Sequence, residues 1–327
     1  MLFELGIYVT AAYVLVKLWR TQPEKVPRML VAMVFAGALE IFDIRTTHTY
    51  HYDRFLLMWG DWPNWFPICI AVAWGLVLHS TMEACEHLFA SRWARPPMVA
   101  VLAVSVDLLL DPVVASSRIV AEPGMACDAT WVGPGQAIGL GFWVWCVPEA
   151  EHSLIWGIPF GNFYAWGAVT LGFSAVAEVL QARFGKHATL GDQWVLAVVN
   201  GVVGYHAVQL LIQAYPKLIV YAHLPEWSLM LAMFLPGFVL IARAGARRTD
   251  RPVLLTTWIF VATTLFFCYT AMVTQSVLRD RLTLVFVLYS LAVGVATVGL
   301  YYWVLCGRRA PRTRTASIST APSAPAE

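Results

Sequence analysis

The chain has 327 residues, 59% of them hydrophobic and only 13% charged, with a formal net charge of +2. A soluble domain carries about a quarter charged residues, so this balance excludes an ordinary soluble domain and points to a membrane protein. The net charge says little about partners, but the lack of a basic stripe argues against nucleic acid.

About 20 apolar residues are needed to cross the hydrocarbon core. About nine segments meet that measure, at 2–18, 28–44, 63–82, 97–115, 160–182, 192–214, 217–242, 253–276 and 281–306. The expected fold is therefore all-α, a polytopic transmembrane helical bundle. It forms one domain over 1–306, with a long aromatic-rich outer loop between the fourth and fifth helices. The first segment carries Glu4 and lacks the basic start and cleavage site of a signal peptide.

Basic residues gather in alternate connections. Lys17, Arg20, Lys25 and Arg28 lie in the first, Arg92 and Arg95 in the third, Arg183 and Lys186 in the fifth, and Arg243 with Arg247 in the seventh. By the positive-inside rule the N-terminus is outside and the C-terminus cytoplasmic. Residues 307–327 are mostly Ser, Thr, Pro, Ala and Arg, a composition that predicts a disordered cytoplasmic tail whose basic start suits anionic lipid.

The second helix holds Glu40 in the run Ala38-Leu39-Glu40-Ile41, followed by Asp43, His48, Tyr50, His51 and Tyr52. Asp43, His48 and His51 read as an interfacial rim, but Glu40 lies deeper. On the third helix His79, Glu83 and His87 share one face at i, i+4, i+8. They are candidate metal ligands only if other helices supply partners, and a helix end emerging into cytoplasm is the simpler reading. No metal and no cofactor is expected. The fourth helix holds Asp107 and Asp111 four residues apart, and Pro112 is expected to end it. A carboxylate at the centre of a bilayer costs about 2.5–3.5 kcal/mol, so such residues usually face protein and often have a function.

Between Pro112 and Pro159 there is no clean span. This stretch contains Trp143-Val144-Trp145 and a Gly-Pro-Gly turn at 133–135. Residues 136–147 read either as a short re-entrant segment or as part of an interfacial aromatic belt. Cys127 and Cys146 share this stretch and would pair if it faces an oxidising compartment. His206, Gln209 and Gln213 mark one face of the sixth helix and are expected to bond neighbouring helices. Glu40, Asp107 and Asp111 all fall at the outer ends of their helices, on the side of the aromatic loop, so acids and aromatics are expected to face each other.

Several motifs share an order and spacing with a known group. They are Glu40 with Tyr50-x-Tyr52, Pro63 and Trp74; the Asp-x-x-x-Asp-Pro of 107–112; Trp143-x-Trp145; and Gly157-x-Pro159-x-x-Asn162-Phe163-x-x-Trp166. Together they resemble the integral-membrane carotenoid biosynthesis hydratases, the group of bisanhydrobacterioruberin hydratase and the carotenoid 1,2-hydratases. The likeness covers about residues 30–170. This chain reads Arg45-Thr46-Thr47-His48-Thr49-Tyr50 where that group tends to have a Thr-Gly-x-Pro-Phe-Gly-type stretch.

The resemblance implies a hydro-lyase of a bacterial or archaeal cytoplasmic membrane that adds water to a terminal isoprenoid (ψ-end) double bond. It implies that Asp111 or Asp107 gives the proton, that the other holds water, and that Glu40 completes the polar cluster. Trp143, Trp145, Trp166, Asn162, Tyr52 and Trp74 would contact the substrate. The partners it implies are membrane lipid and a carotenoid or other long isoprenoid, with a homo-oligomer or other carotenoid enzymes as further partners. Two alternatives stand beside it. One is another membrane isoprenoid enzyme, such as a cyclase or a prenyl-lipid enzyme. The other is a non-enzymatic membrane protein, either a transporter or a pigment-complex subunit.

Overall fold

A computed structural model describes residues 2–47, 50–61, 64–87, 91–119, 142–147, 154–155, 158–244, 288–289 and 291–300. The helices are α1 (Leu2–Thr21), α2 (Val26–Thr47), α3 (Ile68–His87), α4 (Arg95–Val114), α5 (Phe160–Phe184), α6 (Leu190–Val220), α7 (Glu226–Ala244) and a shorter apolar α8 (Leu291–Leu300). Among the described residues, five stretches are long and apolar enough to cross a membrane, within α3, α4, α5, α6 and α7. The chain is a helical-bundle membrane protein. The expected span at 253–276, much of that at 281–306, and the tail lie outside the described residues.

The helix α4 is the centre of the bundle. It packs against α3, α5 and α7, and its residues Met98 to Val104 are all buried. A helix apolar on every face is one covered on every face. The approach of α7 is close: a Cβ on Gly237 would lie 2.2 Å from the Pro97 carbonyl oxygen, so only glycine fits there. By contrast α6 buries a single narrow stripe, Ala197, Asn200, Gly204 and Val208. That stripe excludes His206 and Gln213, which are exposed. The expectation that they bond neighbouring helices is corrected, because they lie off the face that meets the bundle.

Two helix boundaries also differ from expectation. Pro216 lies inside α6 instead of separating two spans; the turn comes at His223, with φ 51°, and Pro225. Pro112 does not end α4, which runs on to Val114. Proline has no N–H, so the Leu108 carbonyl four residues earlier loses its helical donor. The Tyr289 hydroxyl donates to that oxygen at 2.7 Å, and Thr297 on α8 donates to the Ser105 carbonyl at 2.8 Å. Membrane helices tolerate proline where a neighbour satisfies the freed carbonyl. Tyr289→Phe is expected to destabilise the fold by about 1–2 kcal/mol, read as a lower melting temperature in detergent; an unchanged melt would mean that water or another group serves Leu108.

Short strands cap one end of the bundle, which the all-α expectation omitted. They are β1 (Tyr50–Tyr52), β2 (Met58–Trp59), β3 (Phe66–Pro67), β4 (Ala115–Ile119), β5 (Trp143–Val147), β6 (Leu154–Ile155) and β7 (Ile158–Pro159). β5 is the middle strand of a three-stranded sheet, antiparallel to β1 and parallel to β4. Residues 143–147 are therefore a strand and not a re-entrant turn. Their aromatic and β-branched alternation suits a pleated surface, and pairing on both sides satisfies the backbone. His51, expected on the rim, is buried in β1 by the same pairing. His48, Cys127 and the span 120–141 lie outside the described residues, as does the Cys146 side chain.

Glu4 has a structural role that its place in an apolar helix hid. It is fully buried, and its carboxyl accepts the Leu56 and Leu57 N–H groups at 2.6 and 3.0 Å and the Tyr8 hydroxyl at 3.1 Å. It thereby ties the loop after β1 to the start of α1.

Candidate functional site

The capped end of the bundle holds the three carboxylates Glu40, Asp107 and Asp111. Asp107 and Asp111, one turn apart on α4, are 0% and 2% exposed. Asn162, in the first turn of α5, donates from Nδ2 to Asp107 Oδ2 at 3.0 Å and to Asp111 Oδ2 at 2.6 Å. One amide group therefore bridges the two carboxyls. The other Asp107 oxygen, Oδ1, is buried with no partner among the described residues.

Glu40 sits near the end of α2 beside this pair and keeps some accessible surface. Its Oε2 accepts the Tyr50 hydroxyl at 2.5 Å and the Tyr52 hydroxyl at 2.9 Å, and its Oε1 accepts the Trp74 indole N–H at 2.9 Å. Burial, and then the Glu40 carboxylate, push both tyrosine hydroxyls well above the ordinary phenol range. Tyr50 and Tyr52 are therefore fixed donors. In the sequence Tyr50 stands out only as part of a motif; its contact with Glu40 makes it a site residue.

The spacing of the aromatics follows from the strands. Alternate residues of a strand share a face. Tyr50 and Tyr52 point the same way, as do Trp143 and Trp145, and the register sets Tyr50 opposite Trp145 and Tyr52 opposite Trp143. The rings meet with centroids 4.7 and 5.8 Å apart. The Trp143 and Trp145 indoles lie near the Asp111 carboxyl, and Trp145 Nε1 makes no hydrogen bond to a described acceptor. On the helical side Trp166, one turn beyond Asn162 on α5, stacks on Trp74 at 4.1 Å. Glu40, Asp107, Asp111, Asn162, Tyr52, Trp74, Trp143, Trp145 and Trp166 thus form one cluster, drawn from four helices and two strands.

Among the described residues no Lys, Arg or His forms an ion pair with any of the three acids. Two ionised carboxylates held by one amide donor repel each other in a low-dielectric interior. Such a pair is best accommodated with a proton between its members. The site can therefore hold a proton inside an aromatic wall.

The other candidates lie apart from this cluster. His79 and Glu83 are buried lower on α3, with Nε2 and Oε2 3.9 Å apart; the His87 side chain is outside the described residues. Among the described residues no group of three or more His, Cys, Asp or Glu is placed to hold a metal.

Comparison with family models, with curated proteins and with solved structures finds no match to this chain.

Proposed function

We propose that this protein is a membrane carotenoid hydratase that protonates a terminal isoprenoid double bond and captures the resulting cation with water. The observation that carries the reading is the bridged pair Asp107–Asp111 beneath Trp143 and Trp145. Asp111, which faces the indoles, is the proton donor. The alkene π pair takes its proton at the less substituted carbon, leaving a tertiary cation on the neighbour. Water forms the new C–O bond and returns its extra proton to the carboxylate, so the net change is one added water. The ring faces of Trp143, Trp145 and Trp166 hold the cation, each cation–π contact contributing about 0.5–2 kcal/mol. Asp107 holds the water, and Glu40 fixes the tyrosines and Trp74 around it.

In this reading the chain has about nine spans with the N-terminus outside. The capped end, with β4 and β5, faces outward. The substrate is a polyene drawn from the bilayer. Closed-off carboxyls also favour a second reading, in which the same protonation starts a ring closure without water. Expression in a lycopene-making bacterium separates the two. Hydration gives a pigment heavier by one or two waters, whereas cyclisation gives an isomer of unchanged mass. Unaltered lycopene in membranes containing the folded protein would count against both as readings for that end group.

A further inference from the structure

The other end of the bundle holds a second polar site that the proposed chemistry does not use. A cavity of about 260 Å³ opens where the first, third and fifth connections meet. That is smaller than the roughly 300–1,000 Å³ of pockets for drug-sized ligands. It is lined by Lys25, Arg28, Arg92 and Arg95 against Glu24, Glu86 and Glu178, a positive excess of one.

Ion pairs use part of that charge. Glu86 accepts Lys25 Nζ at 2.7 Å and Arg28 Nη1 at 3.1 Å, and Glu178 accepts Arg95 Nη1 at 3.1 Å. Three further polar groups of residues that line the cavity are buried and have no partner among the described residues. They are Arg28 Nη2, Arg95 Nε and the whole Asn200 amide. Asn200 is only 2% exposed and is the polar member of the buried stripe of α6. A buried polar atom without a partner is costly, so a cavity lined by residues that carry them is a place where another group can complete the bonds.

The three groups come from α2, α4 and α6, and two of them are donors on guanidinium groups. A small oxyanion with several acceptor oxygens matches them, and Arg forks suit phosphate geometry. The depth also fits. Trp19, Trp93 and Trp194, near this end of their helices, are 61%, 67% and 39% exposed. Exposed tryptophans at helix ends mark the headgroup level.

We propose that this cavity binds a phosphate group, which bridges Arg28, Arg95 and Asn200 and so clamps α2, α4 and α6. An anionic phospholipid headgroup and free phosphate share this chemistry. The test uses the full-length protein, delipidated in neutral detergent. Melting is followed with added phosphatidylglycerol, phosphatidylcholine or inorganic phosphate at constant ionic strength, and native mass spectrometry counts bound lipid.

The expected result is a saturable rise of several degrees with phosphatidylglycerol, little with phosphatidylcholine, and loss of both shift and adduct in Asn200→Leu and Asn200→Asp. An equal rise with inorganic phosphate assigns the site to the free anion; a rise with the lipid alone assigns it to the headgroup. If Asn200→Leu does not fold, the isosteric Asn200→Asp decides, because it puts a negative charge on the cavity wall. No saturable shift with either ligand, or the same shift and adduct in both variants, overturns the proposal.

Discussion

Asp111→Asn is expected to lower the rate of hydration by about 10²–10⁴-fold, the usual worth of a positioned general acid, while leaving the fold nearly unchanged. Asparagine keeps the shape of the side chain, and its carbonyl can still accept the Asn162 amide that bridges the pair at 2.6 Å. It cannot give a proton to an alkene. Asparagine is neutral, as the protonated donor is, so the variant should melt close to the parent. Asp107→Asn is expected to lose less, because the donor facing Trp143 and Trp145 remains. Product formed per folded protein in membranes is the measurement. Equal losses in the two variants would mean that the pair acts as one unit, as coupled catalytic groups often do.

Glu40→Leu is expected to have the largest effect on stability, about 3–6 kcal/mol. It removes the one acceptor shared by Tyr50, Tyr52 and Trp74, and each buried donor left without a partner costs about 1–3 kcal/mol. Folded domains are stable by only about 5–15 kcal/mol. The three costs share one group and need not add. Glu40→Gln keeps a carbonyl oxygen and should lose far less. The reason the effect is large lies in the architecture. Glu40 joins α2 to α3 and to β1, and β1 in turn holds β5 with its tryptophans. Thermal unfolding followed by tryptophan fluorescence checks this. A Glu40→Leu protein as stable as the parent would show that the strand cap stays on the helices without the carboxylate.

Local period made most of this cluster legible in the sequence. Asp107 and Asp111 repeat at the helical interval, and one amide on α5, that of Asn162, reaches both. Tyr50-x-Tyr52 and Trp143-x-Trp145 repeat at the interval of a strand. The two-residue period was there to see, but in so apolar a chain the aromatics read equally well as an interfacial belt. What the sequence hid were partners far apart along the chain. Glu4 stands in an apolar first helix, and the Leu56 N–H that its carboxyl accepts lies 52 residues on. Pro112 looked like a stop, because the tyrosine that repairs its missing hydrogen bond lies 181 residues from the carbonyl it serves. His206 and Gln213 looked like helix glue because polarity alone does not say which side of α6 meets the bundle. The stripe that does, Ala197, Asn200, Gly204 and Val208, is mostly small and unremarkable by composition.

The central claim is that the buried acid pair delivers a proton to a terminal alkene. The most direct measurement is the reaction of protein-containing membranes with an acyclic ψ-end polyene in deuterated water, with the product read by mass spectrometry. The account predicts one non-exchangeable solvent deuterium on the carbon beside each new tertiary alcohol. It predicts that this product disappears in Asp111→Asn protein that is present and folded. Labelled alcohol formed by Asp111→Asn at the parental rate would contradict it.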